Sequence, residues 1–189
     1  MDIISKTYDW KNPLTNRCET SYIVLHHRAG DGDADSIHSL HKRRGYSGIG
    51  YHFYVRKDGK VYKGRPIGAV GAHTLGANQK SIGVCFEGDF EKQQTMPFAQ
   101  EKAGRELIDY LKSLYPKAKV EVHRNLQSTA CPGRYFPTEK IKEGVKEMSV
   151  EDAIEIIQAK AGIEDETIEF LLCYKYGEEL VRKLAEAII

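Results

Sequence analysis

The chain has no CxxC pair and no apolar run approaching the roughly 20 residues needed to span a bilayer. It also has almost no net charge. The first absence removes zinc ribbons and thioredoxin-like redox pairs. The second predicts no membrane span. The third, 28 basic against 27 acidic residues, removes bulk electrostatics as a route to nucleic acid or to an anionic membrane. The opening Met1-Asp2-Ile3-Ile4-Ser5-Lys6 has neither a basic n-region nor an apolar h-region. The expectation is therefore synthesis in a cytoplasm without a signal peptide, with Cys18, Cys85, Cys131 and Cys173 reduced. Internal repeats and low-complexity stretches are also missing. What remains is a 189-residue chain of ordinary globular composition, 41% hydrophobic and 29% charged, that must recognise its target at a specific site.

Ser21 to His27 is a β-branched and aromatic run that reads as a buried strand ending in histidines. Asp35 is placed as the cap of a helix reaching Arg44, with Ile37, Leu40, His41 and Arg44 on one face. Tyr51–Arg56 and Val61–Tyr62 flank Asp58-Gly59, a hairpin signal. Ser81–Phe86 reads as a central strand, and Pro97 to Tyr115 as a long helix with Phe98, Ala103, Leu107, Leu111 and Leu114 as its apolar stripe. Val120–His123 is a short strand that again delivers a histidine. Strands alternating with helices, one pair of strands forming a hairpin, predict an α/β domain with a single mixed β-sheet flanked by helices. The segment from Asp2 to Arg17 gives little to read.

The character changes near Met148, which sets expected boundaries of 1–147 for the main domain and 148–189 for a small C-terminal helical tail. Ser149 is the expected N-cap of a first helix and Gly162 its stop; a second helix from Glu164 is interrupted at Gly177. A tail this short sits near the ~40-residue limit for unaided folding. It is therefore expected to pack on the main domain, on a second copy in a homo-oligomer, or on a ligand.

Two strand ends deliver His26 and His123, and Cys131 follows the second by eight positions. Imidazole nitrogen and thiolate sulfur suit zinc, and catalytic zinc sites use three protein ligands. With seven histidines and four cysteines present, His-x7-Cys alone leaves the metal open. His26 and His27 point to opposite faces of a strand, so only one is a ligand. His38 and His41, three apart on an amphipathic Lys/Arg-rich helix, are expected on a solvated face. His52, between two aromatics, is expected to be structural.

Ile23-Val24-Leu25-His26-His27, Gly50-Tyr51-His52-Phe53, Gly71-Ala72-His73, Ser81-Ile82-Gly83-Val84 and His123 through Ala130-Cys131-Pro132-Gly133 occur in that order. Together they resemble the zinc-dependent N-acetylmuramoyl-L-alanine amidases of the type-2 amidase family, and in particular its short phage lysozyme-type amidases and peptidoglycan recognition proteins. The resemblance runs from about Ser21 to Pro137. It implies Zn2+ held by His26, His123 and Cys131, with Tyr51 and Thr129 catalytic and His73 and Asn78 lining the substrate groove. Thr129 departs from the lysine of some phage enzymes, and Cys85 stands where the recycling amidases carry a glutamate. The implied activity is hydrolysis of the bond between N-acetylmuramic acid and L-alanine in bacterial peptidoglycan, as a phage or prophage endolysin released to the wall by a holin. The alternatives are a peptidoglycan-binding protein without turnover and an intracellular amidase that recycles muropeptides.

Overall fold

Six strands and seven α-helices are found among the described residues, 3–145 and 149–188, of the computed structural model. The strands β1 (Ile3–Ile4), β2 (Tyr22–His27), β3 (Phe53–Val55), β4 (Val61–Lys63), β5 (Ser81–Phe86) and β6 (Lys119–Val122) form one sheet in the order β1-β4-β3-β5-β2-β6. Only the β3–β4 hairpin is antiparallel; every other neighbouring pair is parallel. The expected mixed α/β sheet is thus observed.

The central strands read as continuous apolar runs because they are covered on both faces. On one face Ile23, Leu25, Ile82, Val84 and Phe86 pack with Leu107, Ile108 and Leu111 of α2 (Phe98–Leu114) and Ile141 of α4 (Thr138–Glu143). On the other, Tyr54 and Cys85 pack with Ala34 and Ile37 of α1 (Ala34–Arg43). The stripe expected on α2 is buried through its middle, while Phe98 and Leu114 at its ends are exposed. The cap of α1 is Asp33 rather than Asp35: its Oδ1 accepts the Ser36 N–H at 2.8 Å, which starts the helix one residue before Asp35.

The two-residue strand β1 was not visible in the sequence. It pairs with β4 at the sheet edge, where Ile3 meets Val61. Parallel strands β2, β5 and β6 end on the same side, the edge where open α/β sheets place their ligands. A short helix, α3 (His123–Leu126), begins directly at the end of β6.

The chain divides into two compact units after Val145. The expected boundary at 147/148 lies outside the described residues. The second unit contains α5 (Val150–Ala161), α6 (Asp165–Leu172) and α7 (Gly177–Ile188). Ser149 caps α5 by accepting the Asp152 N–H at 2.9 Å, and α5 stops at Gly162, both as expected. Ala153, Ile157, Ile168, Val181 and Ala185 are fully or almost fully buried among themselves, with Leu171, Leu172 and Leu184 packed against them. The unit therefore carries a core of its own. No helix among the described residues is long and apolar enough to cross a membrane.

Candidate metal and catalytic site

The register of β2 against β6 pairs Leu25 with Val122, so the residues that follow, His26 in β2 and His123 at the start of α3, emerge level with each other. Their ring centroids are 4.5 Å apart. Cys131 is brought back by a loop closed at its base: Arg124 N–H donates to Cys131 O at 3.0 Å and Gly133 N–H to Ala130 O at 2.7 Å. The Arg124 guanidinium adds a bond to Gly133 O at 2.6 Å. Gly133 itself has φ 97°, and a Cβ there would lie 2.3 Å from the Phe90 carbonyl carbon, so only glycine lets this loop lie against residues 90–91. One donor atom from each of His26, His123 and Cys131 then falls within 4.8 Å of the others.

His26 Nδ1 lies 3.7 Å from Cys131 Sγ. His123 Nε2 contacts Gln127 Oε1 at 3.0 Å, leaving its Nδ1 as the nitrogen without that partner. His26 is 1% exposed. Burial first, and then His73 and His123, push its pKa well below the usual imidazole value, so the ring is neutral. Burial pushes the Cys131 thiol up to about 11. Two imidazoles and a soft sulfur, converging on one point, form a donor set that fits zinc and excludes the all-oxygen sites of magnesium and calcium. His27 points the other way, as alternation requires, and its Nδ1 accepts the Phe90 N–H at 3.1 Å.

Tyr51 stands next to this group, its ring 5.1 Å from that of His26. Burial, then the nearby Cys85 and Cys131, raise its phenol well above the usual value, so it keeps its proton. Its position is fixed through the backbone on both sides: Gly50 N–H donates to His41 Nδ1 at 3.0 Å and Arg65 N–H to Tyr51 O at 2.9 Å. Thr129 is exposed on the loop, and its Oγ1 accepts the Cys131 N–H at 3.2 Å.

The other two expected site residues have internal partners. His73 is 9% exposed, and its Nδ1 lies 3.0 Å from His26 Nε2. Asn78 Oδ1 accepts the N–H groups of His73 at 2.8 Å and Thr74 at 2.9 Å.

The expectation that His38 and His41 lie on a solvated face is overturned. They are 5% and 8% exposed, and their Nδ1 atoms accept the N–H groups of Ile49 and Gly50. A helix rich in lysine and arginine hid this, because its few polar rings on the inner face bind backbone rather than water. His52 is structural, as expected: Nδ1 accepts Gly83 N–H and Nε2 faces Ala69 O, each at 2.9 Å.

With this geometry in view, comparisons with known proteins are decisive. The family model described as N-acetylmuramoyl-L-alanine amidase matches residues 16–134. The chain belongs to this family. An endolysin of Klebsiella phage KP32 is 37% identical over 130 residues, 65% of this chain and 86% of the relative. The solved N-acetylmuramoyl-L-alanine amidase LysC from Clostridium intestinale superposes with a TM-score of 0.73 at 38% identity, covering 76% of this chain and 96% of that one. Peptidoglycan-recognition protein SC2 of Drosophila melanogaster is 34% identical over 126 residues, 60% of this chain and 68% of the relative. The family match ends at residue 134, short of the C-terminal helical unit.

Proposed function

We propose that this family member is a zinc N-acetylmuramoyl-L-alanine amidase acting as a phage or prophage endolysin. It cleaves the amide between the lactyl group of N-acetylmuramic acid and L-alanine in bacterial peptidoglycan. The observation that carries the reading is the convergence of His26, His123 and Cys131 from two level strand ends and one stapled loop. These three residues hold the metal. When bound, zinc supplies Lewis acidity and an activated water at neutral pH.

The protein's own groups do the rest. As the scissile carbonyl becomes tetrahedral, its oxygen gains negative charge, and the protonated Tyr51 hydroxyl donates a hydrogen bond to it. The same hydroxyl is the proton source closest in character to what the departing amine needs. Thr129 Oγ1 already accepts from Cys131 N–H, so its own O–H is free to donate toward substrate. Being neutral, it stabilises developing charge less than a lysine would.

Residues 1–147 form the catalytic domain in this reading, and 148–189 a helical segment that serves wall targeting, dimerisation or packing. The enzyme reaches the wall from the cytoplasm through a holin.

The test is to incubate the purified protein with bacterial sacculi and count new chain ends. Free L-alanine amino termini that vanish with a chelator are expected. New reducing sugars would make it a glycosidase, and binding without new ends would make it a recognition protein. Activity confined to small soluble muropeptides would favour the recycling alternative, which Cys85 in place of a glutamate argues against. Tyr51→Phe is expected to retain zinc and fold while losing about 10²–10³ in rate.

A further inference from the structure

Behind His26, on the side away from Cys131, runs a line of polar groups with no part in the steps described above. Its proton positions follow from one fixed point. Ala77 O can only accept, so the Ser81 hydroxyl 2.7 Å away donates its single hydrogen there. Ser81 Oγ is then an acceptor, and His73 Nε2 lies 3.4 Å from it. With its hydrogen on Nε2, neutral His73 presents a bare lone pair at Nδ1, 3.0 Å from His26 Nε2. His26 therefore carries its hydrogen on Nε2, and its Nδ1 lone pair faces Cys131. Thr74 Oγ1 lies beside this contact, 3.0 Å from His73 Nδ1 and 3.4 Å from His26 Nε2.

The chain is built for this ring. A Cβ at Gly83 would lie 2.6 Å from His73 Cγ and Cδ2, and one at Gly71 would lie 2.5 Å from Cδ2. Glycine in the middle of a fully buried strand weakens it and marks a close approach; at Gly83 the approaching group is the His73 imidazole. Asn78 Oδ1 fixes the His73 and Thr74 amides from the other side.

We propose that His73 is a positioning residue of the metal site: it accepts the His26 Nε2–H, selects the tautomer of His26 and aims the Nδ1 lone pair at the ion. Outer partners of this kind orient ligating histidines, and their loss costs about 10–100-fold in metal affinity. Ser81, through the Nε2–H of His73, and Asn78, through the loop backbone, hold His73 in turn. The inference rests on His26 being a metal ligand, as the proposed function has it.

The test measures zinc, not turnover. The full chain is titrated with zinc against a chromophoric chelator, as wild type and as His73→Leu, His73→Gln and Thr74→Val. His73→Leu is expected to weaken zinc 10–100-fold, and His73→Gln, whose side-chain oxygen can accept the same proton, to recover most of the loss. Thr74→Val is expected to change affinity by less than about 3-fold, since its contact to His26 is the longer one. Long-range 1H–15N spectra of zinc-loaded wild type should show His26 metallated at Nδ1 and protonated at Nε2. That signature tests the tautomer even if His73→Leu does not fold, and His73→Gln and Thr74→Val then decide which group holds the proton. Metallation of His26 through Nε2, or unchanged zinc affinity in folded His73→Leu, overturns the inference and leaves the amidase reading intact. Loss with Thr74→Val alone transfers the role to Thr74 and overturns it as well. A wild-type protein that takes up no zinc removes both.

Discussion

Up to Val145 the chain builds its core from strands far apart in sequence, whereas from Ser149 onward it builds one from three neighbouring helices. β2 lies between β5 and β6, whose pairing residues are about 60 and 100 positions away. The core of α5, α6 and α7 closes over fewer than 40 residues. The two units also differ in charge. Residues 1–145 hold 23 basic and 16 acidic side chains, a net of +7, whereas 149–188 hold 4 and 10, a net of −6. The near-neutral total therefore hides a basic unit, which contains the candidate site, and an acidic helical one.

The largest expected effect separates the units through the metal. His26→Ala or Cys131→Ala should abolish zinc binding and activity and lower the unfolding temperature of the first unit, because ligation couples to folding. The helical unit has no part in the ligand set, so its own melting should not move. Calorimetry of holo and variant proteins checks this; a fall in both transitions would mean the units melt as one.

Ile157→Ala reverses the experiment. Ile157 is fully buried in the small helical core, and its truncation should cost about 2–4 kcal/mol. That is much of what a unit of this size possesses. Loss of helical circular dichroism with zinc affinity retained is expected, and loss of zinc would contradict the separation.

Acid should act mainly on the first unit. Burial holds His52 down at about 3, and burial followed by Arg44 and Arg65 holds His41 at about 4. Both are lowered from an unfolded value near 6.5, so the unfolded chain binds more protons below that pH. Their stabilisation is complete above pH 6.5 and declines as pH falls toward 4 and then 3. The loss should approach about 1.4 kcal/mol per pH unit for each histidine. Urea unfolding followed between pH 7 and 4 reads this slope. The second unit, which has no histidine, should lack it.

Smallest is the cap of α5. Ser149→Ala removes the acceptor of the Asp152 N–H and should cost about 1 kcal/mol, visible only in the helical transition.

Much of this was legible from the chain. β5 falls on the expected residues because an apolar run bounded by polar turns has one reading, and the opposite orientations of His26 and His27 followed from strand alternation. Strand β1 was not legible, since two isoleucines carry no periodicity. His38 and His41 were misplaced because their partners are backbone amides, which leave no mark in composition. The internal contacts of His73 were hidden for a similar reason: its slot is made of absent side chains, at Gly71 and Gly83. The tail's own core was not read from the sequence: Ala153 and Ala185 pack with Ile157, Ile168 and Val181, a cluster that only the pairing of α5, α6 and α7 brings together.

The end of β2 places a histidine that faces Cys131 and a histidine that anchors a loop on consecutive residues. A slip of one residue in the pairing of that strand would exchange them. His27 would then face Cys131, and His26 would face the Phe90 amide. The doublet therefore does not fix the register by itself, since such a slip still leaves one imidazole facing Cys131 and one facing the Phe90 amide; the choice falls to Ile23 and Leu25 behind it, which a slip would turn out of the apolar core.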